Sequence, residues 1–203
     1  MKGLLKKDFQ IIVSNWPVLL AIGLCGCAIA VYIRIPDMLL CFVALLLSYQ
    51  GVATIMNDQS SGWWPWAMSL PVRRKRIVYE KYIFCLLLGA IGTLLAIILY
   101  AIVSRLTGVE FSSESFQINM YILLIFIGLG LSSGILFCFY KKETAPLSMF
   151  IAVLIPLAVI LAIIKLNNDP LDMFRTIGLC SMGAYFVIMA LSPDIIYHWI
   201  DKN

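Results

Sequence analysis

Hydrophobic and polar positions fall along this chain in long alternating blocks. Six blocks, 15–33, 38–56, 82–103, 118–140, 145–164 and 176–191, are dominated by apolar residues and contain no Asp, Glu, Lys, Arg or His. About 20 apolar residues in α-helical form cross the ~30 Å hydrocarbon core of a bilayer. A helix also satisfies its backbone polar groups internally, as lipid requires. The pattern therefore predicts an all-α integral membrane protein with six transmembrane helices. The first fourteen residues read differently. Leu5, Phe9 and Ile12 share one helical face, and Lys2, Lys6 and Gln10 share another. This predicts an interfacial helix over 1–14, lying along the membrane surface ahead of the first span. The alternative is a basic end of the first span whose lysines snorkel to the headgroups.

Composition agrees with the pattern. Of 203 residues, 62% are hydrophobic and 13% charged, about half the charged share of a soluble domain. The polar connections are short, so 1–203 reads as a single transmembrane domain with no separate soluble unit. The formal charge of +4 is small and dispersed, which does not suggest nucleic acid as a partner. Its placement is informative. With the N-terminus inside, eleven of the fifteen Lys and Arg fall on the cytoplasmic side, and Arg34, Arg105, Lys165 and Arg175 fall outside. Lys and Arg resist translocation, so both termini are expected in the cytoplasm. That orientation also brings Trp16, Trp63, Trp64, Trp66 and Trp199 near the inner interface.

The spans carry little chemistry. Ion-coupled transporters and proton pumps keep titratable groups within the membrane, and these blocks hold none. The lone His198 follows the last block beside Trp199 and Asp201, without the partners a catalytic base or metal site would need. Cys25, Cys27, Cys41, Cys85, Cys138 and Cys180 all lie inside blocks, where Cys behaves as a small hydrophobe. No Gly is followed by Lys, so the phosphate cradle of a P-loop is absent. The chain is expected to be no enzyme and to bind no cofactor of its own. Small residues recur at helical spacing, as Gly23 with Cys27, Gly89 with Thr93, and Gly130 with Gly134 around Ser132 and Ser133. Such rows let helices approach closely in lipid, within one subunit or across a dimer seam. Pro156 is expected to bend the fifth span or free a carbonyl there.

Residues 57–81, between the second and third blocks, are the unusual stretch. A polar start at Asn57 and Asp58 leads to Gly62-Trp63-Trp64-Pro65-Trp66, then Met68-Ser69-Leu70-Pro71-Val72, then Arg73-Arg74-Lys75-Arg76. Ser69 suits a helix N-cap and Pro71 the first turn after it. One reading is a Trp-anchored loop against anionic headgroups. The other is a docking surface for a cytoplasmic protein.

The run 58–82, with Gly62-Trp63, Ser69-Leu70-Pro71-Val72, Ile77-Val78 and Lys81-Tyr82, resembles the short six-span permeases of type-2 ATP-binding-cassette exporters. The opening Met1-Lys2-Gly3-Leu4-Leu5-Lys6-Lys7-Asp8-Phe9 resembles their start. The resemblance implies a half-transporter in a bacterial plasma membrane, paired with a second permease copy, identical or related. A separate cytoplasmic ATPase subunit would hold ATP and magnesium. By position, Asp58, Gly62, Trp63, Trp66, Met68, Ser69, Leu70, Pro71, Val72 and Arg73 would couple to that ATPase, and the stretch through Phe9 would be the connecting helix. Trp64-Pro65-Trp66 departs from the pattern, since relatives more often carry polar or charged residues there. Among such permeases, exporters of phenol-soluble modulins and other amphipathic antimicrobial peptides are the leading comparison for cargo. A chain with no internal charge and no nucleotide loop has no means of its own to drive uphill transport, which fits the resemblance. The alternatives are a non-transporting assembly or peptide-immunity module, and an autonomous channel. The lack of intramembrane polar rings disfavours the channel.

Overall fold

The computed structural model describes residues 2–63, 67, 74–109, 112–140, 145–166 and 170–200, and every regular element among them is helical. In chain order these are α1 (Lys2–Ser14), α2 (Trp16–Ile33), α3 (Asp37–Ser60), α4 (Arg74–Thr107), α5 (Ser113–Ile125), a π-helical turn (Phe126–Leu131), α6 (Ser132–Tyr140), α7 (Ala145–Leu166) and α8 (Pro170–Ile200). Six spans are long and apolar enough to cross a membrane, with α5, the π-turn and α6 continuous as one of them, Ser113–Phe139.

The helices outrun the apolar blocks. Helix α3 continues to Ser60 and α4 begins at Arg74, so much of 57–81 is helical at its two ends. The connection expected over 104–117 is shorter, since α4 runs to Thr107 and α5 begins at Ser113. There Gly108 takes φ +68°, left-handed backbone that glycine adopts without a Cβ clash, and the Ser112 hydroxyl caps α5 by accepting from the Ser115 N–H at 3.3 Å. Apolarity marks the depth of hydrocarbon, whereas a helix ends where capping chemistry stops it. The expected Ser69 cap and Pro71 first turn lie outside the described residues.

Helices α3 and α4 form the most extensive helix pair. They close on small residues: a Cβ on Gly92 would stand 3.0 Å from the Ala44 backbone, and one on Gly51 would meet the Cys85 sulfur. Around this hairpin Leu39, Val52, Ile55, Tyr82, Leu131, Ile135 and Tyr185 form the main core. A second cluster, Ile125, Ile160, Ile163 and Phe174, binds α5, α7 and the start of α8. Helix α2 stands apart, with only Gly26 and Ala30 buried among its residues. Between it and the α3–α4 hairpin opens a crevice of about 440 Å³ lined by apolar side chains, among them Trp16, Leu20, Leu24, Val43, Leu47 and Leu95.

Backbone carbonyls that lose their helical donors find others. Pro156 has no N–H for the Ala152 carbonyl one turn earlier, and the Tyr49 hydroxyl of α3 donates to that oxygen at 2.6 Å. Where the chain widens into the π-turn, Ser181 of α8 donates to the Leu124 carbonyl at 2.9 Å. Near the end of α6, the Gln59 amide donates to the Cys138 carbonyl at 2.9 Å. Gly130 and Gly134 lie where α7 approaches, since a Cβ on either would stand within 3.0 Å of Ala152. Thr93 returns its hydroxyl to the Gly89 carbonyl at 2.8 Å. Gly23 has no neighbour within 4 Å of a Cβ position, so its row with Cys27 makes no close approach at that residue. Cys85 and Cys138 are buried, whereas Cys25 and Cys180 face out of the bundle.

Candidate functional site

Helix α1 packs its Leu5 and Ile12 against Phe84 and Leu88 of α4. Residues 5, 8 and 12 follow one helical stripe, so the residue between them on the inward face is Asp8, which is fully buried. Phe9 turns away from the bundle and is 53% exposed. A helix read as lying on a surface is thus held to the bundle through a buried carboxylate.

That carboxylate belongs to a four-charge junction. Lys81, near the start of α4 and 1% exposed, places its ammonium 2.6 Å from Asp8 Oδ2 and 2.7 Å from Asp58 Oδ2 at the end of α3. The Lys7 ammonium lies 2.6 Å from Asp58 Oδ1 and 3.3 Å from Asp8 Oδ1. Each cation touches both anions, and the charges of these four groups cancel. Two charges taken from water cost several kcal/mol each, a cost offset only by close, well-directed pairing, which three of these contacts supply as hydrogen bonds, the longer Lys7–Asp8 approach excepted. Lys7 is the rim member, with 27% of its side chain exposed, and its ammonium lies 3.5 Å from the Trp63 ring centroid. A cation over an indole face at that range is an attractive contact.

The junction therefore ties three elements distant in sequence, α1, the end of α3 and the start of α4, and joins them to Trp63 at the root of the connecting segment. The same end of the bundle is tied to α8, where Lys75 forms an ion pair with Asp194 and the Tyr79 hydroxyl donates to the Ala190 carbonyl at 3.3 Å.

Of the residues assigned by position to ATPase coupling, the structure describes Asp58, Gly62 and Trp63. Gly62 takes φ +70°, which turns the chain out of α3 just before Trp63. Asp58 is 3% exposed with both oxygens engaged, so its side chain is enclosed in the junction. Trp66, Met68, Ser69, Leu70, Pro71, Val72 and Arg73 lie outside the described residues. Sequence reasoning counted Lys7 and Lys81 among the cytoplasmic charges and gave Asp8 no role of its own. The available signal was the placement of Asp8 three residues after Leu5 and four before Ile12, on the stripe those two share. Among the described residues no group of three or more His, Cys, Asp or Glu is arranged to hold a metal ion.

Six apolar spans with a charged, tied end define an integral, multi-pass membrane protein. A family model described as ABC-2 family transporter protein matches residues 3–197, and the chain belongs to that family. It is a membrane permease of an ABC exporter, the membrane subunit and not the ATPase, and the family implies an ATPase partner. Comparison with curated proteins and with solved structures gives no match.

Proposed function

We propose that two copies of this permease, identical or closely related, assemble in a bacterial plasma membrane with both termini in the cytoplasm. Each rests on a separate ATPase subunit docked on the segment 57–81. ATP and magnesium bind to that partner, and its closure rocks the two permeases to export amphipathic peptides or other apolar compounds.

The observation that carries this reading is the ionic junction that joins the two described ends of the segment, at Asp58 and Lys81, to α1. A force applied to residues following Trp63 reaches α1, α3 and α4 together, because Lys7 and Lys81 hold all three to one cluster. Work done by a partner can thereby move helices as a unit. The apolar crevice beside α2 supports a cargo with an apolar face, since an uncharged wall gives an ion no compensation for its lost hydration.

The test is substitution in the docking segment. Leu70→Ala and Pro71→Ala are expected to lower both export and the stimulation of the partner's ATP hydrolysis, while membrane insertion stays unchanged. Full coupling in both variants would overturn docking through this segment.

A further inference from the structure

The charge balance of the junction leaves one acid over. Lys7 and Lys81 match Asp8 and Asp58, yet Glu80, the residue before Lys81 on α4, is also buried, at 1% exposure. It stands on the part of α4 that precedes the apolar run beginning at Tyr82. Neither Glu80 oxygen has a hydrogen-bond partner, and Asp8 Oδ1 likewise accepts none. After burial itself, the Asp8 carboxylate acts most strongly on the Glu80 carboxyl, ahead of Lys81 and Lys7. Ionised carboxylates only accept hydrogen bonds, so two of them facing each other make no bond unless one keeps a proton.

Among the described residues the surrounding groups offer no other remedy. From α1, Lys7 and Asp8 face this corner. Asp58 faces it from α3, Lys81 and Cys85 from α4, and Cys138 from α6 behind Cys85. Both ammonium groups are already committed to Asp8 and Asp58. An ionised Glu80 would be a fifth, uncompensated charge in a dry site, and a buried carboxyl in that position takes up a proton instead. One proton cancels the excess charge and supplies an O–H donor beside Asp8.

We propose that Glu80 keeps its carboxyl proton beside Asp8, and that this bound proton latches α1 onto α4. The latch is neutral and closed when the proton is present. Losing it sets two carboxylates against each other across the α1–α4 contact, and α1 is pushed off. Because the folded state holds this proton more tightly than the unfolded chain does, the latch's contribution to stability is complete in acid and is lost as pH rises. The inference rests on the junction alone and holds for any cargo.

The test uses the full chain in lipid nanodiscs. Infrared difference spectra between mildly acidic and alkaline buffer are expected to show loss of a protonated carboxyl carbonyl band, and that band is expected to be absent from Glu80→Gln. Nitroxide amino acids incorporated at Gln10 and Arg76, both exposed, report the α1–α4 separation. In the unsubstituted junction a narrow distance distribution in acid is expected to broaden in alkali, with the docked fraction falling several-fold. Glu80→Gln, which keeps a neutral hydrogen-bonding group, is expected to stay narrow at both pH values. A missing carboxyl band, a band that survives Glu80→Gln, or a distance indifferent to pH would each overturn the latch. The first and third measurements need no Glu80 variant, so a folding defect in Glu80→Gln leaves the proposal testable.

Discussion

Lys81 shows how a residue's role depends on what folds around it. In sequence it is one of a run of basic residues before an apolar block, and such residues usually face headgroups. In the structure its ammonium is enclosed and held by two carboxylates. Removing one member of a buried ionic cluster leaves the others uncompensated, at a cost of about 3–5 kcal/mol. Lys81→Met is therefore expected to lower the unfolding free energy by that order in detergent. Pairing it with Asp8→Asn is expected to cost clearly less than the two single losses summed, because the two residues share one interaction. Additive losses would sink the coupled junction. Gly128 makes the same point sterically. A Cβ there would stand 2.5 Å from the carbonyl carbon and oxygen of Ser181, which are backbone atoms with nowhere to go, whereas a Cβ on Gly183 meets nothing within 4 Å. Gly128→Ala is expected to destabilise by about 1–3 kcal/mol and Gly183→Ala to be neutral or slightly stabilising, both read from thermal midpoints.

Among the elements, the fifth span exposes a dependence between helices. Pro156 removes the donor for the Ala152 carbonyl, and Tyr49 of α3 supplies one. Hydrogen bonds between spans contribute about 0.6 kcal/mol on average and up to about 1.7, so Tyr49→Phe is expected to cost an amount in that range. In a Pro156→Ala background the helix regains its own donor, and Tyr49→Phe is then expected to be close to neutral. A double-mutant cycle with no coupling between positions 49 and 156 would refute this. The proline was legible in sequence together with its consequence of bending the helix or freeing a carbonyl. Its partner was not, because residues 49 and 156 meet only once α3, α6 and α7 are packed. The π-turn at Phe126–Leu131 left no legible mark, since its composition, Phe-Ile-Gly-Leu-Gly-Leu, suits an ordinary apolar helix. Helix α1 was legible as a helix, but its inward face was not. Counting apolar residues grouped Leu5, Phe9 and Ile12, whereas the stripe packed on the bundle runs through Leu5, Asp8 and Ile12, with an acid balanced by two lysines in its middle.

At the scale of the whole molecule, a permease whose work comes from a partner is expected to show no uphill transport alone. Proteoliposomes containing this chain without an ATPase subunit are expected to concentrate no solute, and adding the cognate ATPase with ATP and magnesium is expected to start export. Accumulation by the chain alone would overturn the division of labour proposed above.

Sequence by itself determined the helical class and the number of spans, because hydrocarbon imposes a simple local test of about 20 apolar residues per crossing. It also marked the segment between the second and third spans, whose Trp, Pro and Arg cluster stands out in an otherwise apolar chain. Tertiary structure alone decided which titratable groups come together at the junction. Lys7, Asp8, Asp58, Glu80 and Lys81 lie on three separate stretches, and each alone reads as a solvated residue at the edge of a span. A charge is stabilised in a dry site only by counter-charges within a few ångströms, and those neighbours exist only after α1, α3 and α4 have come together.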